Sequence, residues 1–189
     1  LTMLNLSFIP MRSEDRGEDD PIIIAGGPGS LAPAPYVPFV DVFCMGDGEE
    51  LIAEMLSLLF DARFLKRFEK LQLLSRIEGC YVPAVTGLRS IVKRRVVSLQ
   101  DAFATTSYLV PSDKIVHDRA SVEVFRGCSR GCRFCQAGMI YRPVRHRDPK
   151  KVGQLAEGII TGSGYEELGL VSLSTCDYPW LEELLDDLG

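Results

Sequence analysis

The sequence predicts an α/β protein in two parts, and three observations support this class. A short β-branched run, "PIIIAGGPGS", ends in glycines, and a second run, "VDVFCMG", leads through "GDGEE" into a helical pattern. Further along, "ASVEVF", "DPKKVGQLAEGIITG" and "EELGLVSLST" alternate between strand and helix character, which is typical of parallel βα units. The composition, 46% apolar and 25% charged over 189 residues, is that of a globular chain.

The first predicted part, residues 1–78, is expected to be the end of a doubly wound α/β domain. Residues 22–25 are predicted to form a strand, a second strand runs from Val40, and a helix begins near Leu51. Residues 62–77 are predicted to form an amphipathic helix whose apolar stripe is core. The stripe consists of Phe64, Leu65, Phe68, Leu71 and Leu74.

Glycines follow both predicted strands, as Gly26, Gly27, Gly46 and Gly48. They are expected at the carboxyl edge of the sheet, where ligands of such domains bind. Turn glycines are also common at that edge without a ligand, and the complete phosphate fingerprint G-x-G-x-x-G is missing. A structural role is therefore favoured over a cofactor-binding one.

A connecting region is predicted for residues 79–120, with short extended pieces at "CYVPAV" and "IVKRRVVSL". The basic run Lys93, Arg94 and Arg95 is interpreted as a solvated strand edge. Residues 121–189 then form the second part: a strand leads into a cysteine-rich loop, and Asp148 caps a helix with Pro149 in its first position. A last helix is predicted to begin near Pro179.

The six cysteines argue against a disulfide scaffold, because three of them crowd into "RGCSRGCRFCQAGM" while Cys44, Cys80 and Cys176 are scattered. No stretch has the ~18 apolar residues of a membrane span, and the N-terminus lacks the basic flank of a signal peptide. A soluble cytoplasmic protein with no membrane partner is expected. Because the sequence starts at Leu1 and stops directly after a helical pattern, we expect it to be an excerpt of a longer chain.

Three thiols on one loop, Cys128, Cys132 and Cys135, limit the kind of site. Structural zinc needs four ligands, usually in two pairs, and neither His146 nor Cys176 stands at a pair spacing. An electron-carrying iron-sulfur cubane is also closed by four ligands. Three thiols would leave one iron open, which is what a catalytic metal keeps for its substrate.

A strongly basic segment surrounds the thiols. Residues 126–151 hold eight Lys or Arg against one acid, a net of +7 in a chain of −5, so the rest carries −12. The segment is either a solvated face or a site for negative charge. Within it, Gly127 and Gly131 would let the loop wrap a bulky cluster, and the arginines would favour thiolates.

The spacing Cys128-x-x-x-Cys132-x-Phe134-Cys135 resembles the signature of the radical S-adenosylmethionine superfamily. This resemblance implies a partial (β/α) barrel, of which residues 121–189 would be the first βα units, and a four-iron four-sulfur cluster held by the three cysteines. S-adenosylmethionine would chelate the fourth iron and be cleaved reductively to a 5′-deoxyadenosyl radical, with Phe134 beside its adenine. Where the family often carries a Gly-Gly-Glu motif that binds the amino group of S-adenosylmethionine, this chain has Ser174, Thr175, Cys176 and Asp177. The hydroxyls and Asp177 would substitute for that motif, or equally they would cap the helix that begins near Pro179.

The resemblance extends to the first part, since "IIIAGGP" and "GDGEE" are similar to the cobalamin-binding-like domain that precedes many such barrels. Gly26 and Gly27 would then be cofactor-binding residues. The family's cobalt-ligand motif Asp-x-His-x-x-Gly is missing at both His117 and His146, so cobalamin binding stays open. A flavodoxin or ferredoxin would be the electron donor, and an anionic or nucleic-acid substrate would suit the basic segment. Two alternatives stay open: an iron-sulfur electron carrier and a zinc-stabilised interaction module.

Overall fold

In the computed structural model, which describes residues 2–87, 89–113 and 115–188, the chain folds into two units, Leu1–Val96 and Val97–Gly189. We call them the N-terminal unit and the C-terminal unit. Each combines helices with small sheets, so the predicted α/β class is confirmed. The finer boundaries at residues 78 and 120 stay a prediction.

The N-terminal unit is built on a three-stranded sheet. Its elements are α1 (Thr2–Leu6), β1 (Ile24–Ala25), β2 (Val42–Cys44), α2 (Glu49–Asp61), α3 (Arg67–Leu74), β3 (Cys80–Tyr81) and α4 (Pro83–Thr86), with 3₁₀ turns at Ser13–Asp15, Pro28–Leu31 and Ala34–Tyr36. The strand order is β1-β2-β3, with β1 parallel and β3 antiparallel to β2. The antiparallel β3 departs from an all-parallel doubly wound sheet.

The core of this unit lies between the sheet and the inner faces of α2 and α3. Its buried side chains are Val42, Cys44, Leu51, Met55, Leu71, Leu74, Ile77, Cys80 and Val82. Leu51 and Met55 are four residues apart on α2, and they share the face that packs on the strands.

The helix predicted over 62–77 is wrong at both ends, because α3 spans only Arg67–Leu74. Its start is fixed by Glu69, whose carboxylate accepts the N–H of Lys66 at 2.9 Å. Leu71 and Leu74 are buried as predicted, but Phe64 and Phe68 are 87% and 52% exposed, so the assignment of the whole stripe to the core is also wrong. The guanidinium of Arg63 lies 4.6 Å from the ring centre of Phe64, which gives this exposed ring a favourable cation contact.

The connecting region is less extended than predicted. In "CYVPAV" only β3 is a strand, because Pro83 begins the short helix α4. In "IVKRRVVSL" the backbone of Arg94 forms a single bridge to Gly46. The half-buried Arg94 side chain pairs with Glu50 at 3.1 Å and with Glu54 at 3.0 Å on α2, while Arg95 is exposed, so the interpretation as a solvated edge holds for Arg95 but not for Arg94.

The C-terminal unit contains two small sheets. Its elements are β4 (Ala120–Glu123), β5 (Phe125–Arg126), α5 (Ala137–Ile140), β6 (Arg145–His146), α6 (Pro149–Ser163), β7 (Leu168–Val171) and α7 (Leu181–Leu188), with a 3₁₀ turn at Thr175–Asp177. Strands β4 and β7 pair in parallel across α6, and β5 pairs with β6 antiparallel. The parallel pairing and the helix between the strands are those that the sequence predicted.

Two details at the strand ends position the cysteine loop. The single strand predicted for "ASVEVF" is divided at Val124, whose N–H donates to Val171 while its carbonyl accepts from Arg147 at 2.8 Å. The chain can therefore leave the parallel sheet and enter the pairing of β5 with β6. As predicted, Asp148 caps α6, since its carboxylate accepts the N–H of Lys150 at 2.9 Å.

None of the helices in the described ranges has the length and apolar character needed to cross a membrane.

Candidate functional site

The three cysteines of the motif lie on the loop that connects β5 to α5, directly after a strand. Cys132 is exposed, Cys128 and Cys135 are half-buried, and all three are free thiols. The N–H of Cys135 donates to the carbonyl of Cys132 at 3.0 Å, and the N–H of Arg130 lies 3.5 Å from the sulfur of Cys128. A backbone N–H directed at sulfur is a contact of the kind that tunes a cysteine which ligates a metal.

Gly127 fixes the start of this loop. Its φ is +97°, and a Cβ at this position would lie 2.8 Å from the carbonyl oxygen of Pro143 and 2.9 Å from that of Tyr141. Any other residue at this position would have a strained backbone, and its Cβ would clash with the backbone of residues 141–144. The sequence predicted that this glycine serves the loop, and the structure adds that it allows close packing against residues 141–144.

The thiols are accessible but are not gathered around one point. Within the described ranges, no three side chains of Cys, His, Asp or Glu are close enough together to hold a metal ion. The donors nevertheless suit an iron-sulfur cluster in type, number and accessibility, since such clusters are held by cysteine thiolates on a loop. The loop would have to close to bring the donors together, as is common for sites that order on metal binding.

An ion pair ties the cysteine loop to the turn after β7. The Nε of Arg130 donates to Asp177 at 2.7 Å, its Nη2 donates to the second oxygen of that carboxylate, and Ser174 Oγ donates to Asp177 at 2.7 Å. The hydrogen bonds from Arg130 and Ser174 lower the pKa of Asp177. The same bond to Asp177 raises the pKa of Arg130, and the charges of Cys128 and Cys132 contribute to that increase. The structure therefore brings the predicted residues Ser174 and Asp177 to the cysteine loop.

A cavity of about 240 Å³ lies beside Cys128, and its walls include His146, Val144, Asp177 and Phe125. Residues that carry a thiol, an imidazole and a carboxylate thus line one small space. This space could take a small polar group or part of a larger ligand.

Aromatic rings hold His146 in place at this cavity. Its ring centre lies 5.3 Å from that of Phe125 and 5.8 Å from that of Trp180, the latter edge to face. Tyr178, stacked on Phe125, is buried and donates its hydroxyl to the carbonyl of Arg147 at 2.6 Å. Burial raises the pKa of Tyr178 to about 12, with contributions from nearby acidic groups. Sequence reasoning did not find this cluster, because His146 and the rings carry no local motif.

The other predicted site residues lie in different surroundings. Phe134 is 92% exposed on the cysteine loop. Gly26 and Gly27 belong to the N-terminal unit, where they follow β1 and precede the turn Pro28–Leu31. Cys176 is exposed in the turn after β7, close in sequence to Asp177. The cofactor-binding roles assigned to Phe134, Gly26 and Gly27 stay predictions.

The basic segment is used largely inside the unit. Arg126 makes two hydrogen bonds to the Glu123 carboxylate, Arg130 pairs with Asp177, and Arg147 is 2% exposed with its guanidinium on the carbonyl of Glu123 at 3.1 Å. Three of the eight basic side chains that the sequence suggests for a ligand are therefore engaged within the C-terminal unit. A buried arginine within a basic run cannot be recognised from composition.

The C-terminal unit thus has strands that alternate with helices, and three free thiols lie on the loop after one strand, as the sequence predicted. Residues 1–83 match the family model "Radical SAM proteins, N-terminal". These matches support a relation to the radical S-adenosylmethionine superfamily, in the subgroup that carries this N-terminal domain.

Two curated relatives are similar to this chain. An uncharacterized protein of Methanocaldococcus jannaschii is 28% identical over 176 residues, which cover 89% of this chain and 36% of the relative. The threonylcarbamoyladenosine tRNA methylthiotransferase MtaB of Bacillus subtilis is 30% identical over 94 residues, which cover 50% of this chain and 19% of the relative. The chain thus spans about a third of the length of the first relative and about a fifth of the second. No solved structure matches it.

Proposed function

We propose that this chain is part of a radical S-adenosylmethionine enzyme in which Cys128, Cys132 and Cys135 hold a four-iron four-sulfur cluster. The observation that carries the proposal is the accessible three-thiol loop after a strand, in a chain related to this superfamily. When bound, such a cluster would supply the electron that cleaves S-adenosylmethionine to methionine and a 5′-deoxyadenosyl radical.

The chain's own residues would bind and orient. Gly127 holds the loop against residues 141–144, and the guanidinium of Arg130, paired with Asp177, lies near Cys128 and Cys132. Asp177 would receive the amino group of S-adenosylmethionine, since a carboxylate has about four acceptor positions and could keep its bond to Ser174. Phe134, exposed on the same loop, would lie against the adenine.

The two units would take the roles that the resemblance implies. The C-terminal unit would contribute the first βα units of a partial (β/α) barrel, consistent with the parallel pairing of β4 and β7. The N-terminal unit would be a cobalamin-binding-like domain, with Gly26 and Gly27 at the carboxyl end of β1. The proposal does not extend to cobalamin itself, because the sequence offers no Asp-x-His-x-x-Gly motif for its cobalt.

The partners are proposed at the level of their chemistry. A flavodoxin or ferredoxin would deliver the electron. RNA is the substrate class to test first, because one relative is named as a tRNA-modifying enzyme. Arg133 and Lys150 are exposed in the basic segment and could contact phosphates, so RNA binding should weaken steeply as salt is raised.

The proposal is tested by electron paramagnetic resonance on the full chain, reconstituted anaerobically with iron and sulfide and then reduced. We expect a cluster signal that changes when S-adenosylmethionine is added. Replacing any one of Cys128, Cys132 or Cys135 by Ala should abolish that signal, while the matched control Cys176→Ala should keep it. A cluster signal that is indifferent to S-adenosylmethionine, or zinc without labile sulfide, would overturn the proposal.

An iron-sulfur electron carrier is the second candidate, and one observation favours it: His146 faces the same cavity as Cys128. As a fourth ligand, His146 would close the cluster. His146→Ala would then abolish the cluster of a carrier, whereas the cluster of a radical enzyme would remain and still respond to S-adenosylmethionine.

A further inference from the structure

The two cysteines of the N-terminal core stand directly opposite each other. Cys44 on β2 and Cys80 on β3 are register partners in the antiparallel pair. They are 7% and 1% exposed, and both are free thiols. Side chains of directly opposed residues lie on the same face of a sheet, about 4.5–5.5 Å apart at Cβ. Nothing in the proposed function uses this pair.

A third sulfur completes the group. Met55 on α2 is 2% exposed, and its Sδ lies 3.4 Å from the Sγ of Cys44. Two thiols and a thioether, from three different elements, therefore share one buried place in the core. We call Cys44, Met55 and Cys80 the sulfur triad.

Thiolate and thioether are soft ligands, and in proteins they select soft ions such as monovalent copper. Metal-thiolate bonds are about 2.3 Å long, so two sulfurs on one ion lie at most about 4.6 Å apart. The separation of 3.4 Å between Cys44 and Met55 is inside this limit. We infer that the sulfur triad is a binding site for one Cu⁺ ion, with Cys44 and Cys80 as thiolates and Met55 as the third ligand.

The two thiols already influence each other's protonation. Hydrogen bonding to Cys80 lowers the pKa of Cys44 against the opposing effect of burial, while the same bond and burial raise the pKa of Cys80. Around Cys80, Arg94 favours the thiolate and Glu54 disfavours it.

Binding is written without electron transfer. Two S–H bonds break, three Cu–S bonds form (two to thiolates and one to the neutral thioether of Met55), and two protons pass to solvent, which leaves a group of charge −1. As mere core fillers, the cysteines would behave as small apolar side chains, and their burial would be explained. The Cys44 thiol donates a hydrogen bond to the Met55 Sδ at 3.4 Å, so the thioether already faces the thiol before any metal binds.

The test uses the full chain with Cys128, Cys132, Cys135 and Cys176 replaced by Ser, so that Cys44 and Cys80 are the remaining thiols. This parent is titrated anaerobically with Cu⁺ against a chromophoric copper chelator. We expect one tightly bound Cu⁺ per chain, with thiolate-to-copper absorption in the ultraviolet. Because the cluster ligands are removed, the outcome does not depend on the proposed enzyme function.

Three variants of this parent decide which sulfurs bind. Cys80→Ala should weaken copper binding at least a hundredfold, and Met55→Leu at least tenfold. Met45→Leu is the matched control: this neighbouring methionine is also buried but belongs to a separate cluster with Phe43 and Tyr81, and its loss should leave the affinity unchanged. Circular dichroism shows whether each variant is folded, and Cys44→Ala replaces Cys80→Ala if the latter is not.

Failure of the parent to retain copper against the chelator would overturn the inference. Copper retained equally after loss of a thiol would do the same. Unchanged affinity in Met55→Leu, with affinity lost in the cysteine variant, would refute the three-sulfur site, since it would show a dithiol site without the thioether.

Discussion

Replacing Asp41 should lower the free energy of unfolding of the N-terminal unit by a large amount. Its carboxylate accepts from Arg16 at 2.8 Å, from Arg67 at 2.8 Å, and from the N–H of Ile23 and the hydroxyl of Ser13 at 2.7 Å each. The side chains of Asp41, Arg16 and Arg67 are 1%, 0% and 9% exposed. One buried carboxylate therefore holds together the segment that leads into β1 and the start of α3.

The cost of Asp41→Ala follows from what would be left behind. Two guanidiniums would stay buried without their counter-charge, and breaking a buried pair by removing one partner costs about 3–5 kcal/mol. A domain of this size is typically stable by about 5–15 kcal/mol, so the variant should lose a large share of its stability. Asp41→Asn keeps the shape but removes the charge and directs amide hydrogens at cations, and it should behave similarly.

Hydrogen exchange followed by mass spectrometry is the assay, because it reports each unit separately. At tenfold per 1.4 kcal/mol, amides of β1 and β2 should lose protection by about 100- to 3000-fold, while those of α6 should be unchanged. Arg12→Ala is the matched control, since its pair with Glu14 is exposed and should contribute less than about 1 kcal/mol. Equal loss of protection in Asp41→Ala and Arg12→Ala would refute the reasoning.

Three further predictions concern the C-terminal unit. Gly127→Ala should destabilise the C-terminal unit by about 1–3 kcal/mol in urea unfolding and should lower the iron content after cluster reconstitution. Gly153→Ala inside α6 is the control. A Cβ there meets no atom within 4 Å, so this variant should stabilise the unit by up to about 1 kcal/mol. The pKa of Tyr178 is about 12 in the folded state and about 10 in the unfolded state, so the contribution of this group to stability is complete below pH 10 and falls by about 2–3 kcal/mol as the pH rises to 12. Tyr178→Phe should remove this part of the alkaline decline in the free energy of unfolding. An unaltered decline would contradict the prediction. Because the pKa of Asp177 is lowered in the fold, its ion pair with Arg130 should stabilise the cysteine loop above pH 4 and weaken as the pH falls further. Proteolysis of the loop should become faster as the pair weakens. The variant Asp177→Asn should be cleaved quickly at every pH, and slow cleavage of this variant would contradict the role given to the ion pair.

The sequence predicted those elements whose signal is local. Asp148 and Pro149 define the start of α6 because the cap and the first helical position are set by adjacent residues. The apolar pattern likewise predicted β4 and β7 and their parallel pairing. The pattern failed for 62–66, where Phe64 follows helical spacing but is exposed, since periodicity does not reveal whether anything covers a face.

The residues of the candidate site divide in the same way. The three cysteines were found by their spacing, which is a local property of one loop. The pairs of Asp41 with Arg16 and of Asp177 with Arg130 join residues 25 and 47 positions apart. No local pattern distinguishes such partners from other surface charges, so only the fold could reveal them.

The cysteine loop combines fixed ends with free donors, and this has a thermodynamic consequence. Gly127 anchors its start, and Arg130 ties its middle to Asp177, while the thiols stay accessible and apart. Ordering the backbone of the loop reduces its conformational entropy, at about 1–2 kcal/mol per residue. Gly127 and the ion pair of Arg130 already order part of the loop, so fewer residues have to be ordered when a metal group binds. Binding of a metal group to the folded chain would add its own free energy to the stability of the unit that holds the ligands. Cluster binding should therefore increase the stability of the C-terminal unit and leave that of the N-terminal unit unchanged. Gly127 and the Arg130 ion pair determine how much of the binding free energy is offset by the cost of closing the loop.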